Sequence, residues 1–254
     1  ELGALLGAFE RAVGENACEL VTVVGPPGIG KSRLARELIR SLVPAPRVLV
    51  GRCLPYGDGI TYAPLAEIVR QIGGEQATET LARLLAVEEH ADVIVSRIAG
   101  AIGLAETEAR AEEIAWAARR LFETLAGEGA LIVALDDLHW AEPNFLDLVE
   151  YLASFVDGPV LLLCTSRPDL FERRPSWPHP RPRATLLALE PLPENDAETL
   201  MEKLIGSAAL TGALSRQILQ KAEGNPLFVE QMLAMVEQHD GAEVAVPPTI
   251  QALL

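Results

Sequence analysis

Positive charge is in short supply in this 254-residue chain: 21 Lys and Arg stand against 36 Asp and Glu, a formal net charge of −15. Gripping a nucleic-acid duplex through its phosphates needs basic surface that displaces counterions, so non-specific nucleic-acid binding by this chain alone is excluded. Cysteine is scarce as well. Cys18, Cys53 and Cys164 are odd in number, far apart and form no C-x-x-C pair, which argues against a disulfide framework and for reduced thiols in the cytoplasm. Long apolar runs are missing too. Stretches such as PVLLLC (159–164) fall far short of the roughly 20 residues that cross a bilayer, so no membrane partner is expected. No signal peptide is visible and the chain opens on Glu1 rather than Met, which predicts a segment of a longer protein.

What is present is core-forming material. Hydrophobic residues make up 49% and charged residues 22%, the balance of a globular chain of one large domain or somewhat more. Leu2, Leu5, Leu6, Phe9 and Val13 recur at helical spacing, predicting a helix with those residues on its buried face. Residues 19–25 and 47–53 read as strands, with a helix over 31–42 between them. Residues 64–126 read almost entirely as helix, best at 109–125, where Ile114, Ala118, Leu121 and Leu125 form one stripe. A strand over 131–135, a helix from Pro143 to Phe155, a strand ending in CTS and a fifth strand, ATLLALEPL (184–192), follow. Between the last two strands lies RRPSWPHPRPR (173–183), read as a solvated, proline-locked loop carrying Arg173, Arg174, Arg181 and Arg183. From Asn195 to about His239 only helical patterns occur. Apolar strands alternating with helices predict an α/β fold with a parallel sheet covered on both faces. The expected division is an α/β domain over 1–190 with a helical insertion at 54–128, a helical lid over 191–240, and a linker over 241–254.

GPPGIGKS (25–32) fits G-x-x-x-x-G-K-[ST] between a strand and a helix, the context that makes the pattern a phosphate-binding loop. Gly25, Gly28 and Gly30 let the backbone around Pro26, Pro27 and Ile29 curl so that its N–H groups face an anion. The helix opening at Lys31 adds its positive dipole end, and Arg33 follows directly. Lys31 is placed to reach the β- and γ-phosphates of ATP, and the Ser32 hydroxyl to hold Mg²⁺.

The stretch ALIVALDDLHW (130–140) admits three readings by itself: a metal cluster of Asp136, Asp137 and His139, an acid/base pair, or the polar rim of a buried strand. Beside a phosphate loop, Asp136 reads as the Mg²⁺ carboxylate that ends a buried strand. Successive strand side chains point to opposite faces, so Asp137 is free for another task, positioning the attacking water. Aspartate has a shorter arm than the glutamate many hydrolysing relatives carry, which predicts slow hydrolysis. No second histidine or cysteine lies near His139, which then shapes its loop. If the fourth strand lies between the first and third, Thr165, Ser166 and Arg167 face the γ-phosphate and can sense it. EGNPLF (223–228) reads as a tight helix–helix corner: Gly224 left-handed, Asn225 capping, Pro226 starting the next helix.

Together GPPGIGKSRL, LIVALDDLHWAEP, LLLCTSRPDL and KAEGNPLFVEQML resemble the STAND class of signal-transducing P-loop ATPases in the AAA+-like branch. GRCLPYGDGITYAPLAEIV (51–69) resembles more narrowly the versions in large bacterial regulators: transcription activators of the LuxR and SARP types and proteins fused to adenylate/guanylate cyclase domains. The resemblance implies strand order 5-1-4-3-2, a helical lid, and ATP or ADP held between core and lid, with Gly224 and Pro226 meeting the nucleotide. It implies a switch that self-associates in the ATP state and a fused DNA-binding or cyclase effector outside this segment. AAA+ motors usually carry a sensor arginine in the lid. Lys203, Arg216 and Lys221 are not next to the 224–226 corner, which favours a switch over a motor. One of the arginines at 173–183 reaching a neighbour's γ-phosphate competes with the solvated-loop reading. A P-loop kinase or phosphotransferase and a non-hydrolysing, nucleotide-dependent scaffold remain as alternative functions.

Overall fold

The computed structural model describes residues 1–55, 61–106, 108–179, 182–205 and 212–238. Along the chain run α1 (Leu2–Gly14), β1 (Cys18–Val24), α2 (Lys31–Ser41), β2 (Arg47–Arg52), α3 (Ala63–Gly73), α4 (Ala77–Leu84), α5 (Ala91–Ala101) and α6 (Ala111–Ala126). There follow β3 (Leu131–Asp136), α7 (Pro143–Phe155), β4 (Val160–Ser166), α8 (Leu170–Arg173), β5 (Ala184–Ala188), α9 (Glu194–Ile205), α10 (Gly212–Ala222) and α11 (Pro226–Gln238). The chain forms two compact units: 1–24 with 32–187, and 25–31 with the described part of 188–254. His239 and the 241–254 linker lie outside the described residues.

The first unit is built on a parallel five-stranded sheet in the order β2-β3-β4-β1-β5, the order the resemblance implies, read from the other side. β1 and β4 are buried along their whole length, as strands with neighbours on both edges and helices on both faces must be. The register sets Val24 beside Ser166, Leu135 beside Cys164, and Arg52 beside Asp136. The carboxyl ends of four strands therefore open along one edge. On α6 the expected stripe of Ile114, Ala118, Leu121 and Leu125 is buried.

Three local expectations change. On α1 the buried residues are Leu5, Ala8 and Ala12, whereas Val13 is 47% exposed. α1 packs on β1 and β4, and small alanines, not the largest apolar groups, allow that close approach. β5 ends at Ala188, short of the apolar run to Leu192. The 173–183 segment is not a simple solvated loop. Trp177 is buried and its indole N–H donates to the Thr22 hydroxyl at 3.2 Å. Arg174 pairs with Asp147 at 2.7 Å and with buried Glu150, and Glu150 also accepts the His179 backbone N–H at 3.1 Å. Arg173 donates to the His139 carbonyl at 2.6 Å, and Arg183 pairs with Glu15 at 3.0 Å. A buried indole with a hydrogen-bond partner pulls its polar flanks against the domain. Arg181 lies outside the described residues.

The exposed side of β2 is covered by α3. The Val50 N–H donates to the Gln71 side-chain oxygen at 2.9 Å, the Gln71 amide donates back to the Val50 carbonyl, and the Arg52 N–H donates to Glu67 at 2.8 Å. The helix fits this closely because Gly51 lies under Pro64: a Cβ there would fall 2.6 Å from the Pro64 oxygen.

In the second unit, Met201, Ile218, Ala222, Phe228, Val229, Met232, Leu233 and Val236 form one apolar cluster among α9, α10 and α11. Residues 25–31 belong to this unit.

Burial raises the Glu150 carboxyl, but hydrogen bonds from His179 and Arg174 and the Arg174 charge outweigh it, and the group is held below its ordinary value. A depressed carboxyl contributes stability that is present above its unfolded-state pKa and lost as pH falls through the folded one. Glu150→Gln is therefore expected to be less stable than the parent at pH 7, with the difference shrinking through the acid side. Urea unfolding at stepped pH checks it; a difference that grows on acidification contradicts the assignment.

Candidate functional site

The residues at the strand ends belong to the first unit. β3 runs one residue further than its apolar core, so Asp136 is its last residue, and Asp137 turns away with φ 57° and ψ 42°. Aspartate tolerates this left-handed conformation better than most residues because its short side chain can bond locally. The two carboxylates are thus separated by a backbone reversal, not by the strand alternation the sequence suggests. The turn continues through residues 138–140, where the Trp140 N–H donates to the Asp137 carbonyl at 2.9 Å.

Thr165, near the end of β4, joins the two aspartates. Its hydroxyl donates to the Asp136 carboxylate and accepts the Asp137 backbone N–H at 3.3 Å. Thr165 is buried, its two partners half-buried. The other Asp136 oxygen lies 3.7 Å from the Arg52 guanidinium, a pair open enough to solvent to contribute at most about 1 kcal/mol. Arg52 is a residue the sequence reading missed, although strand order 5-1-4-3-2 puts the end of β2 beside the end of β3. Burial, with Asp137 and then Asp136 adding to it, pushes the Cys53 thiol up to about 12. It stands beside the aspartates as a neutral thiol, unsuited to nucleophilic attack.

His139 is buried and points its Nδ1 at the Arg167 backbone N–H, 3.3 Å away. It thereby fixes the peptide that carries Arg167, whose guanidinium forms no ion pair among the described residues. No group of three or more His, Cys, Asp or Glu able to hold a metal occurs among the described residues. Ser32 and Arg33, in the first turn of α2, are exposed. A hydroxyl and a carboxylate, hard oxygen donors and few, suit Mg²⁺, which keeps most of its waters.

Residues 25–31 belong to the second unit. Lys31 is buried, and its ammonium donates to the Gly25 carbonyl at 2.8 Å and the Pro26 carbonyl at 3.0 Å. The loop therefore wraps its own lysine. Gly28 has φ +79°, and a Cβ on it would fall 2.6 Å from the Leu227 Cβ and 2.9 Å from the Asn225 side-chain oxygen. The 224–226 corner folds as its residue types imply: Gly224 has φ +75° and α11 starts at Pro226. The Asn225 oxygen accepts the Leu227 N–H at 3.1 Å. The corner has a second task that no local signal announces: the Asn225 amide donates to the Pro27 carbonyl at 3.0 Å. In the same unit Arg216 is exposed and bonded to the Gly212 carbonyl.

A family model described as an AAA ATPase domain matches residues 1–163. An uncharacterized protein of Rhizobium meliloti (strain 1021) is 30% identical over 241 residues, covering 87% of this chain and 23% of that protein. Among solved structures, the chain is similar to a signal transduction ATPase with numerous domains (STAND) protein with a tetratricopeptide repeat sensor from Pyrococcus horikoshii. That match has a TM-score of 0.51 at 16% identity, covering 87% of this chain and 28% of the other. The chain thus spans about a quarter of the length of these relatives.

Removing the Thr165 hydroxyl leaves a half-buried carboxylate oxygen and a backbone N–H without their shared partner. Thr165→Val is expected to cost about 1–3 kcal/mol of stability, and Thr165→Ser to restore most of it. Equal unfolding midpoints for the valine variant and the parent would show that the bridge contributes nothing.

Proposed function

The chain belongs to the AAA ATPase domain family, and on that premise we propose that it is an ATP-binding, slowly hydrolysing switch module of a larger cytoplasmic bacterial signalling or transcription-regulating protein. The observation that carries the reading is the 25–32 loop, set between β1 and α2 and folded around the Lys31 ammonium. An ammonium bonded to carbonyls can exchange them for phosphate oxygens, which are stronger, charged acceptors.

In this reading Lys31 and the amides of Gly25, Pro26, Pro27, Gly28, Ile29 and Gly30 form the phosphate-binding stretch, the two prolines contributing backbone shape and no N–H. Arg33 lies beside it. Ser32 and Asp136 would hold Mg²⁺, which when bound neutralises charge across the β- and γ-phosphate oxygens. Thr165 keeps one Asp136 oxygen engaged and so fixes which face the carboxylate offers. Asp137 orients the water that attacks the γ-phosphorus as the bond to ADP breaks. Its short arm limits how well it can do so, hence slow turnover. Arg167, its peptide held by His139, senses the γ-phosphate. Gly224 and Pro226 meet the base.

The switch, in preference to a motor, is supported by the lid-side cations: Arg216 is exposed and tied to its own helix. Self-association in the ATP state and a fused effector domain belong to the same proposal. Arg173, Arg174 and Arg183 are each bonded within the chain and are assigned no role toward a neighbour's phosphate.

Lys31→Ala is expected to abolish ATP and ADP binding, at least a hundredfold in Kd by calorimetry; parent-like affinity refutes the phosphate-loop assignment. Asp137→Asn is expected to bind ATP normally and release phosphate at least tenfold more slowly. An unchanged rate removes Asp137 from the mechanism.

A further inference from the structure

Asn225 makes two bonds that call for different halves of its amide. The Leu227 N–H, an orphan donor of the first turn of α11, needs an acceptor and takes the side-chain oxygen. The Pro27 carbonyl needs a donor and takes the side-chain nitrogen. The orientation of the amide is therefore dictated by its partners. Aspartate caps a helix as well as asparagine does, but it has no proton to give Pro27. Asn225 is 8% exposed, so water competes little for the two bonds. At the same place Gly28 lies so close to Leu227 and Asn225 that no side chain fits between them.

A trans peptide is planar, with its carbonyl and its N–H pointing in opposite directions. Holding the Pro27 carbonyl toward Asn225 therefore turns the Gly28 N–H away from α11. That N–H is one of the few the loop can offer, since Pro26 and Pro27 have none. We propose that Asn225 is a positioning residue of the nucleotide site: it locks the Pro27–Gly28 peptide in the orientation that receives phosphate, and so ties phosphate occupancy of the loop to the start of α11. The proposal rests on the phosphate-loop reading of residues 25–32. It assigns the middle residue of the 224–226 corner a task on the phosphate side, distinct from the contact with the base implied for its neighbours. Binding that orders the loop then also orders the α11 cap, and loosening that cap loosens the loop. The two carry one coupling free energy, reciprocal by linkage.

The test compares the full chain with Asn225→Asp, which keeps the cap and places a carboxylate against the Pro27 carbonyl. Inorganic pyrophosphate and ADP serve as probes in calorimetry, and amide exchange of the loop and of the α11 start is followed without ligand. The variant is expected to melt within a few degrees of the parent. Both probes should bind about tenfold more weakly, the scale of one lost hydrogen bond, and the 25–31 segment should exchange faster. Binding within twofold of the parent for both probes, with unchanged loop exchange, overturns the proposal. A loss confined to ADP also overturns it, since the residue would then act on the base side. Should the variant melt early, the parent alone decides. Pyrophosphate that protects the loop amides must also slow exchange at Leu227, and protection of the loop without Leu227 overturns the coupling. If Lys31→Ala binds pyrophosphate as the parent does, it is the phosphate-loop reading that fails, not the role of Asn225 within it.

Discussion

The parallel register of β2, β3, β4 and β1 is the constraint on which the cluster of residues at the strand ends depends. Because these strands run the same way and end together, the last residues of each come to one edge without any loop having to carry them there. Arg52 reaches Asp136 because their strands are paired in register. Thr165 reaches both aspartates because β4 is the next strand over. A slip of one residue between β3 and β4 would turn Thr165 to the opposite face, and with it both bonds. The buried runs of Val, Leu and Ile that pin the register thus also set the chemistry at its end.

Much of this was legible. A β-branched run followed by a glycine-rich loop and a lysine-led helix admits few other folds, and the end of an apolar strand marks where a carboxylate can stand. The strand order came from the resemblance, not from the pattern of the strands themselves. What escaped were features decided by distant partners. The Trp177 indole finds its acceptor 155 residues away, and the Asn225 amide finds Pro27 at a separation of 198. Nothing local in RRPSWPHPRPR separates a buried tryptophan from an exposed one. On α1 the error had another cause. Hydrophobicity ranks Val13 above Ala12, whereas helix-to-sheet distance rewards the smaller side chain. Arg52 could have been found, since the order of the strands already put it beside Asp136.

The polar groups at the site share partners instead of each having its own. Thr165 uses both capacities of its hydroxyl, Asn225 uses both ends of its amide, and His139 offers a ring nitrogen to one peptide and its carbonyl to Arg173. Sharing makes the two partners of each such group depend on one another within their own unit.

The covering of β2 by α3 has an effect that reaches beyond the fold. Gln71 offers Val50 one acceptor and one donor, the same pair that a neighbouring backbone would offer, and Glu67 takes the next N–H along. A side chain thus counterfeits a strand. On that flank the outward backbone groups of Val50 and the Arg52 N–H are already taken, which leaves less of a ladder for another chain's backbone to join. The same glutamine costs α3 its independence: the helix cannot slide without uncovering the edge it guards.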